Sequence, residues 1–476
     1  MTQKPSLKEI LSPRGIALAG VSPSSPGSFP ARMTKGLRNA GFPRIYPINP
    51  KYKETFGLPC YPSVMDVPGP VDDVVVAVPA KAALSLLDDC AKKGVKSVHF
   101  WSAGFGETGK TEGAALQEEM LKRAEEGGFR IIGPNAGGIL VMKNRFVWSD
   151  APPKVQGPIA FLSQSGGHSG FLPIIGASRG LFFSSIISYG NAIDVNECDI
   201  LEYFMDDPDS EIIGSYIEGV REGRRFFDLL KKAAKKKPVV ICKGGLTDAG
   251  KRATFGHTAS MTGSATVFNT VCKQAGAIQV EDMDELRDVL VALRFVNPIP
   301  RGYGVLVMGQ GGGASVWASD EIEKAGLKMP LLSSETQAEL KQFLPEAGGI
   351  FTNPVDNNLL FSAKGIAATG RVLANVPEID MFLFHLGFHP SSRWGGKAVP
   401  SDRETLKPII DALLETQQVS GKPVLIALGR ALDMEGMKHF LTVQEAFVEA
   451  NLPVFYSLNQ AARAMCHVVN WNRNKE

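Results

Sequence analysis

The chain has 476 residues, 44% hydrophobic and 21% charged, the balance of a soluble globular protein with room for about three domains. A formal net charge of +2 provides no basic field of the kind that holds nucleic acid, and no run approaches the ~20 apolar residues of a membrane span. The cysteines, at 60, 90, 198, 242, 272 and 466, form no CxxC pair and no zinc spacing, and the N-terminus lacks the apolar core of a secretory signal, so a reduced cytoplasmic protein without a metal site is expected.

Apolar runs of strand length alternate with longer amphipathic segments, which predicts an α/β chain of parallel sheets covered by helices. Proline-rich breaks at 151–158 and 297–302 divide it into blocks 1–150, 151–298 and 299–476. In the first block strands are expected at Ile16–Val21, Ile45–Ile48, Val74–Val78, Val98–Trp101 and Arg130–Ile132. Ligands of open parallel sheets bind beyond the carboxyl ends of the strands. The turns Gly20-Val21-Ser22, Asn49-Pro50-Lys51, Val78-Pro79-Ala80, Ser102-Ala103-Gly104 and Gly133-Pro134-Asn135 should therefore line one crevice. That crevice is Rossmann-like but unsuited to NAD: the first turn is not GxGxxG, and no acidic residue follows the second strand, which argues against a dehydrogenase.

The second and third blocks begin alike. Pro158–Leu162 leads into Ser163-Gln164-Ser165-Gly166-Gly167-His168, and Gly304–Met308 leads into Gly309-Gln310-Gly311-Gly312-Gly313. A strand opening through such a turn into a helix leaves N–H groups unpaired at the positive end of the helix dipole, a ready anion site. Each block later carries an Asn and an Asp at one spacing, Asn191…Asp194 and Asn353…Asp356, which reads as an internal duplication of a flavodoxin-like domain. Between these turns lies Lys231–Lys237, a solvated helix end before the strand Pro238–Ile241. His257 follows, in a segment of glycines and small hydroxyl residues, Thr254–Ser264, behind the cations Lys251 and Arg252. Taken alone it is a surface turn residue or a phosphate-handling loop; a neutral imidazole is a competent nucleophile near pH 7. Phe384–His389 has the apolar spacing of a buried strand and is read as core.

The pieces Val21-Ser22, Ile45–Lys51, Tyr61–Val64, Val76–Lys81, Ser102–Phe105, Gly133-Pro134-Asn135, Leu162–Gly166, Gly190-Asn191…Asp194, Tyr216–Gly219, Lys243-Gly244-Gly245, Gly256-His257-Thr258 and Asn353–Asp356 occur in one order over essentially the whole chain. Together they resemble the α subunit of the NDP-forming (ADP-forming) acyl-CoA synthetases, in the succinyl-CoA synthetase superfamily. The resemblance implies a Rossmann-like CoA-binding domain followed by two flavodoxin-like parallel-sheet domains, the last a CoA-ligase domain. It implies the reaction carboxylic acid + CoA + ATP ⇌ acyl-CoA + ADP + phosphate, through an acyl phosphate and a phosphohistidine. His257 would carry the phosphoryl group, and Glu218, at the end of the strand Ile212–Ile217, would orient it. Phosphate would lie at Ser163, Gln164, Ser165, Gly166 and Gly167 and at Gly311, Gly312 and Gly313. Coenzyme A would meet Gly20, Ser22, Lys51, Pro79, Ser102, Ala103 and Asn135.

No stretch matches an ATP-grasp module or a Walker loop, so the resemblance implies a separate ATP-grasp β subunit, in an α2β2 assembly, that holds ATP or ADP with Mg2+. After Ser163–Gly166 the family continues with Ala and aliphatic residues; here Gly167-His168-Ser169 follows, and Ala136 stands where Cys or Ser is usual. His168 then either contacts phosphate or acyl group, or points to solvent. A different class of function, a non-catalytic CoA-binding or regulatory protein, is opposed by the intact His257 and Glu218.

Overall fold

The computed structural model describes residues 4–258, 263–309, 312–386, 402–429 and 434–475, without the side chains of 81, 255–258, 312, 314, 361 and 435. The first sheet contains β1 (Ile16–Ala19) and β2 (Ile45–Ile48), then, beyond a small hairpin of β3 (Glu54–Thr55) and β4 (Leu58–Pro59), β5 (Asp73–Val76), β6 (Ser97–Phe100) and β7 (Arg130–Ile132). The second contains β8 (Ile139–Val141), β9 (Gln156–Ser163), β10 (Phe183–Ser188), β11 (Ile212–Ile217), β12 (Val239–Lys243) and β13 (Ile278–Val280). The third contains β14 (Val305–Gly309), β15 (Val355–Asp356), β16 (Met381–Leu386), β17 (Val424–Leu428) and β18 (Val454–Phe455).

The spatial orders are β2-β1-β5-β6-β7, β10-β9-β11-β12-β13 with β8 added beyond β10, and β15-β14-β16-β17-β18. Counted along the chain, each parallel set is therefore 2-1-3-4-5, the doubly wound flavodoxin order, in which the chain reverses direction between strands 1 and 3 and leaves a crevice there. Among the described residues, only β8 runs antiparallel in these sheets. All three sheets share the 2-1-3-4-5 order, so it does not single out the second and third as copies of one another. Strands of the first sheet are buried along their whole length at β1, β5 and β6, as expected where helices cover both faces.

Helices form where the apolar period and the caps agree. In Gly223–Lys236, Phe226, Leu229, Leu230, Ala233 and Ala234 make one buried stripe, and Lys235 and Lys236 complement the dipole in the last turn. The lysine run is not wholly solvated: Lys237 Nζ donates to the carbonyls of Phe204 and Asp207 at 2.7 and 2.6 Å. A second departure from the sequence expectation concerns the histidine segment. Its first half is helix, Asp248–Thr258, so the backbone at His257 is helical and not loop. Thr247 starts this helix, accepting from Lys251 N at 2.7 Å through its carbonyl and from Gly250 N at 3.1 Å through its hydroxyl. The favourable propensities of Lys251, Arg252 and Ala253 then outweigh the ~1 kcal/mol cost of each glycine.

The chain divides into two compact units, residues 1–177 with 182–282, and 178–181 with 283–476. The first holds the first and second sheets, and the second holds the third sheet with the helix Met283–Phe295. Six free cysteines are present, five of them buried. Among the described residues no helix is long and apolar enough to cross a membrane, and no cluster of His, Cys, Asp and Glu has metal-holding geometry.

Candidate active site

In the first sheet the switch point lies between β1 and β5. Gly20 closes β1 with φ +94°, and a Cβ there would stand 2.8 Å from the Ala77 carbonyl, so only glycine fits. Asn49 Nδ2 donates to Val21 O at 2.8 Å and Asn49 Oδ1 accepts from Lys51 N at 3.0 Å, which binds the second turn to the first. Ser22 Oγ sits 2.7 Å from Ser24 Oγ and 3.3 Å from the Tyr52 hydroxyl. Pro79 precedes the helix Ala80–Lys93, and Ser102 Oγ donates to Val78 O at 2.6 Å. Asn135, in the left-handed region, donates its N–H to Ser102 O at 2.9 Å. Gly20, Ser22, Lys51, Pro79, Ser102, Ala103 and Asn135 thus all lie in the carboxyl-end loops of one sheet, with Lys51 and Ala103 exposed.

In the second sheet the switch point lies between β9 and β11. At the end of β9, Ser163 Oγ donates to Ser165 O at 2.8 Å and accepts from Ser165 N at 3.1 Å, shaping the turn into the helix Gly166–Ala177. Gly166 serves a close approach as well: Gly137 packs against it, and a Cβ on Gly137 would come within 2.4 Å of Gly166 Cα. The Gln164 side chain turns away from the helix end to β11, where its Oε1 accepts from the backbone N–H of Glu218 and, at 2.8 Å, of Gly219. Gln164 therefore holds the turn that carries Glu218.

Glu218 is 3% exposed and shares a side-chain hydrogen bond with Tyr216, whose hydroxyl is pushed well above its ordinary pKa by burial first and then by the Glu218 charge. Gly244 permits this pair, since a Cβ there would lie 2.5 Å from the Tyr216 hydroxyl and 3.3 Å from Glu218 Cγ. The ring of His168 packs against Tyr216, centroids 4.4 Å apart. His168 accordingly turns toward the protein, one strand from Glu218.

Beyond Gly244-Gly245 begins the helix Asp248–Thr258, which packs on the single turn Gly106–Thr108 at the rim of the first-sheet crevice. The His257 backbone stands in the last turn of that helix; its side chain lies outside the described residues. The first two sheets are joined at this rim. Glu107, 9% exposed, accepts from Phe105 N at 3.1 Å and from Asn191 Nδ2 at 2.6 Å, and Asn191 also reaches Gln117 Oε1 at 2.9 Å. Asp194 pairs with Arg130 at 2.9 Å and accepts from Ile131 N at 2.8 Å.

The matching pair in the third sheet has other partners. Asn353 bonds to the backbone of Val305, Val307 and Pro330, and Asp356 accepts from Ser315 Oγ at 3.1 Å. The shared Asn and Asp spacing thus serves docking of one sheet to another in the first unit and bracing within a sheet in the second. Gly312 and Gly313 open the helix Gly312–Lys324, with open space where a Gly313 Cβ would stand; Gly311 lies outside the described residues. Phe384 is fully buried core, as expected, whereas His385 is partly exposed and residues 387–389 lie outside the described residues.

Sequence reasoning missed Glu107, Gln117, Tyr216 as a partner of Glu218, and Arg130. Glu107, Gln117 and Arg130 act through residues far along the chain, and Tyr216, two positions from Glu218, stands in a strand whose alternation does not by itself mark the pair.

Three doubly wound sheets, with a glycine-serine helix start beside a buried carboxylate in the second, define the class: a doubly wound α/β protein whose ligand crevices lie at the carboxyl ends of its strands. Residues 14–142 match the model of the CoA binding domain and residues 156–293 that of the succinyl-CoA ligase like flavodoxin domain. The chain is 36% identical over 379 residues to the α subunit of acetate–CoA ligase (ADP-forming) II of Pyrococcus furiosus, covering 79% of this chain and 81% of that one. It is 30% identical over 479 residues to the α subunit of enzyme I of the same organism, covering 99% and 98%. Acetyl-coenzyme A synthetase 1 of Ca. Korarchaeum cryptofilum, solved with phosphate and ADP, superposes with a TM-score of 0.82 at 31% identity, over 99% of this chain and 97% of that one. The chain belongs to the family of ADP-forming acyl-CoA ligase α subunits. It spans about half of some longer relatives, such as 52% of acetate–CoA ligase (ADP-forming) II of Archaeoglobus fulgidus.

Proposed function

We propose that this chain is the α half of an acid–CoA ligase (ADP-forming) in which His257 carries a phosphoryl group, oriented by Glu218, to a nucleotide site on a partner subunit. The observation that carries the proposal is the placement of Glu218, buried at the switch point of the second sheet and held through its backbone by Gln164 of the glycine-serine turn. In the direction of ATP synthesis, a phosphate oxygen attacks the thioester carbonyl, the C–S bond breaks, and the CoA thiolate takes a proton. The acyl phosphate is stabilised by the N–H groups at the start of Gly166–Ala177. Gly312 and Gly313 are proposed as the second anion-binding helix end. An imidazole nitrogen of His257 then attacks phosphorus, the P–O bond to the acyl group breaks, and the carboxylate leaves. A carboxylate on the other ring N–H fixes the tautomer and stabilises the charge that develops on the ring. ADP finally takes the phosphoryl group.

The proposed partner is an ATP-grasp β subunit in an α2β2 assembly, holding ADP or ATP with Mg2+, and the proposed substrate is a small carboxylic acid. Coenzyme A is assigned to the first-sheet crevice, with Gly20, Ser22, Lys51, Pro79, Ser102, Ala103 and Asn135 lining it. The test is phosphoryl transfer from radiolabelled ATP and magnesium to the chain in complex with its partner. One acid-labile, base-stable phosphate is expected on the native chain and none on His257→Ala. Equal labelling of the variant would remove His257 from the mechanism.

A further inference from the structure

Lys243 ends β12 and is 4% exposed, yet among the described residues no carboxylate stands within ion-pair distance of its ammonium. Its Nζ donates to the backbone carbonyl of Glu218 at 2.7 Å and to the carbonyl of Gly244, and it stands 5.5 Å from the centroid of the Phe268 ring. A buried cation is expensive, and placing one where neutral carbonyls and an aromatic face receive it spends folding stability on geometry. What it holds is informative. Glu218 supplies the buried carboxylate, Gly244 begins the turn that leads to the helix Asp248–Thr258 carrying His257, and Phe268 lies on the helix Ala265–Ala275 that follows the histidine segment.

We infer that Lys243 is the positioning residue that sets the Glu218 turn against both flanks of the His257 segment, so that the carboxylate stands ready when the histidine receives a phosphoryl group. This rests on the phosphohistidine reading above. Lys243 touches no reacting atom; it acts through the backbone of Glu218. Burial drives its pKa down to about 8, opposed by the Glu218 charge. A hydrocarbon side chain of similar length fills the space but drops both donors. Arginine keeps donors and charge on a longer arm.

The test is the rate of His257 labelling from ATP and magnesium in the complex with the partner subunit, with CoA binding to the first-sheet crevice as the folding control. Lys243→Met is expected to slow labelling at least tenfold with CoA binding unchanged, and Lys243→Arg to restore the rate to within about threefold of native. In a Glu218→Gln background Lys243→Met should add less than twofold, because both changes remove the same orientation, whereas a lysine of general structural use would give its full effect again. Native-rate labelling of Lys243→Met, or full additivity with Glu218→Gln, overturns the inference. Should Lys243→Met lose CoA binding as well, Lys243→Gln, which retains donors on a shorter neutral arm, is judged by the same two criteria. Failure of the native chain to label would instead strike the phosphohistidine reading, and this inference with it.

Discussion

Two buried titratable residues of the first sheet have opposite effects on stability. Asp73 accepts from Ser97 Oγ at 2.6 Å, and burial pushes its carboxyl from 3.8 to about 7. The folded state then keeps a proton that the unfolded chain releases, so this group's stabilisation is present at acid pH and is lost as the pH rises from about 4 to 7. His99, fully buried on β6, is pushed by burial from 6.5 down to about 4, and its stabilisation is lost as the pH falls through that window. Each slope is about 1.4 kcal/mol per pH unit, and the two nearly cancel between pH 4 and 6.5. Asp73→Asn should unmask the His99 slope, becoming more stable relative to the native chain by roughly 1–3 kcal/mol between pH 4.5 and 6.5. His99→Phe should show the reverse. Urea unfolding at the two pH values checks both, and variants that keep the native slope would refute the assignment.

At the scale of elements, the four residues 178–181 belong with the third sheet, not with the helix Gly166–Ala177 that precedes them. Arg179 is the reason. Its Nη1 pairs with Asp288 of the helix Met283–Phe295 at 2.6 Å, Nη2 donates to Val454 O at 2.8 Å, and the guanidinium lies 4.8 Å from the Tyr456 ring centroid. Both side chains of the pair are 3% exposed, and burial raises the Asp288 pKa despite the guanidinium beside it. Removing one partner leaves an uncompensated buried charge. Arg179→Met should therefore destabilise the second unit by about 3–5 kcal/mol, read by hydrogen exchange in β14–β18, and replacing Asp288 by Leu in the same chain should recover part of the loss. A neutral outcome would mean the pair does not anchor this segment.

For the molecule as a whole, the repeated 2-1-3-4-5 order makes three similar crevices, and the loops give each its chemistry. If the first crevice holds CoA, adding CoA at 100 times its Kd should raise the unfolding free energy of the first unit by about 2.7 kcal/mol. The chain alone, supplied with a panel of small carboxylic acids, CoA, ATP and magnesium, should release no phosphate, and its proposed partner should restore release with at least one of them. Turnover by the isolated chain would contradict the division of the reaction between two subunits.

How much was legible in advance follows from chain separation. Glycine and serine turns after apolar runs are written in consecutive residues, so the strands, the crevice turns and the helix starts at Gly166 and Gly312 could be read directly. The order of pieces along the chain likewise identified the family. Local preference decided against the loop reading at His257, where the lysine, arginine and alanine ahead of it extend a helix that the glycines appeared to forbid. What the sequence by itself determined is thus most of the strands, the α/β class and the family, together with a list of candidate site residues. Only the tertiary structure decided how that set is held: Gln164 reaches Glu218 across 54 positions, Lys243 reaches it across 25, and Asn191 joins Glu107 across 84. These are hydrogen bonds between buried groups whose partners are chosen by strand order and register, and no short-range pattern of residues specifies which distant backbone will stand beside them.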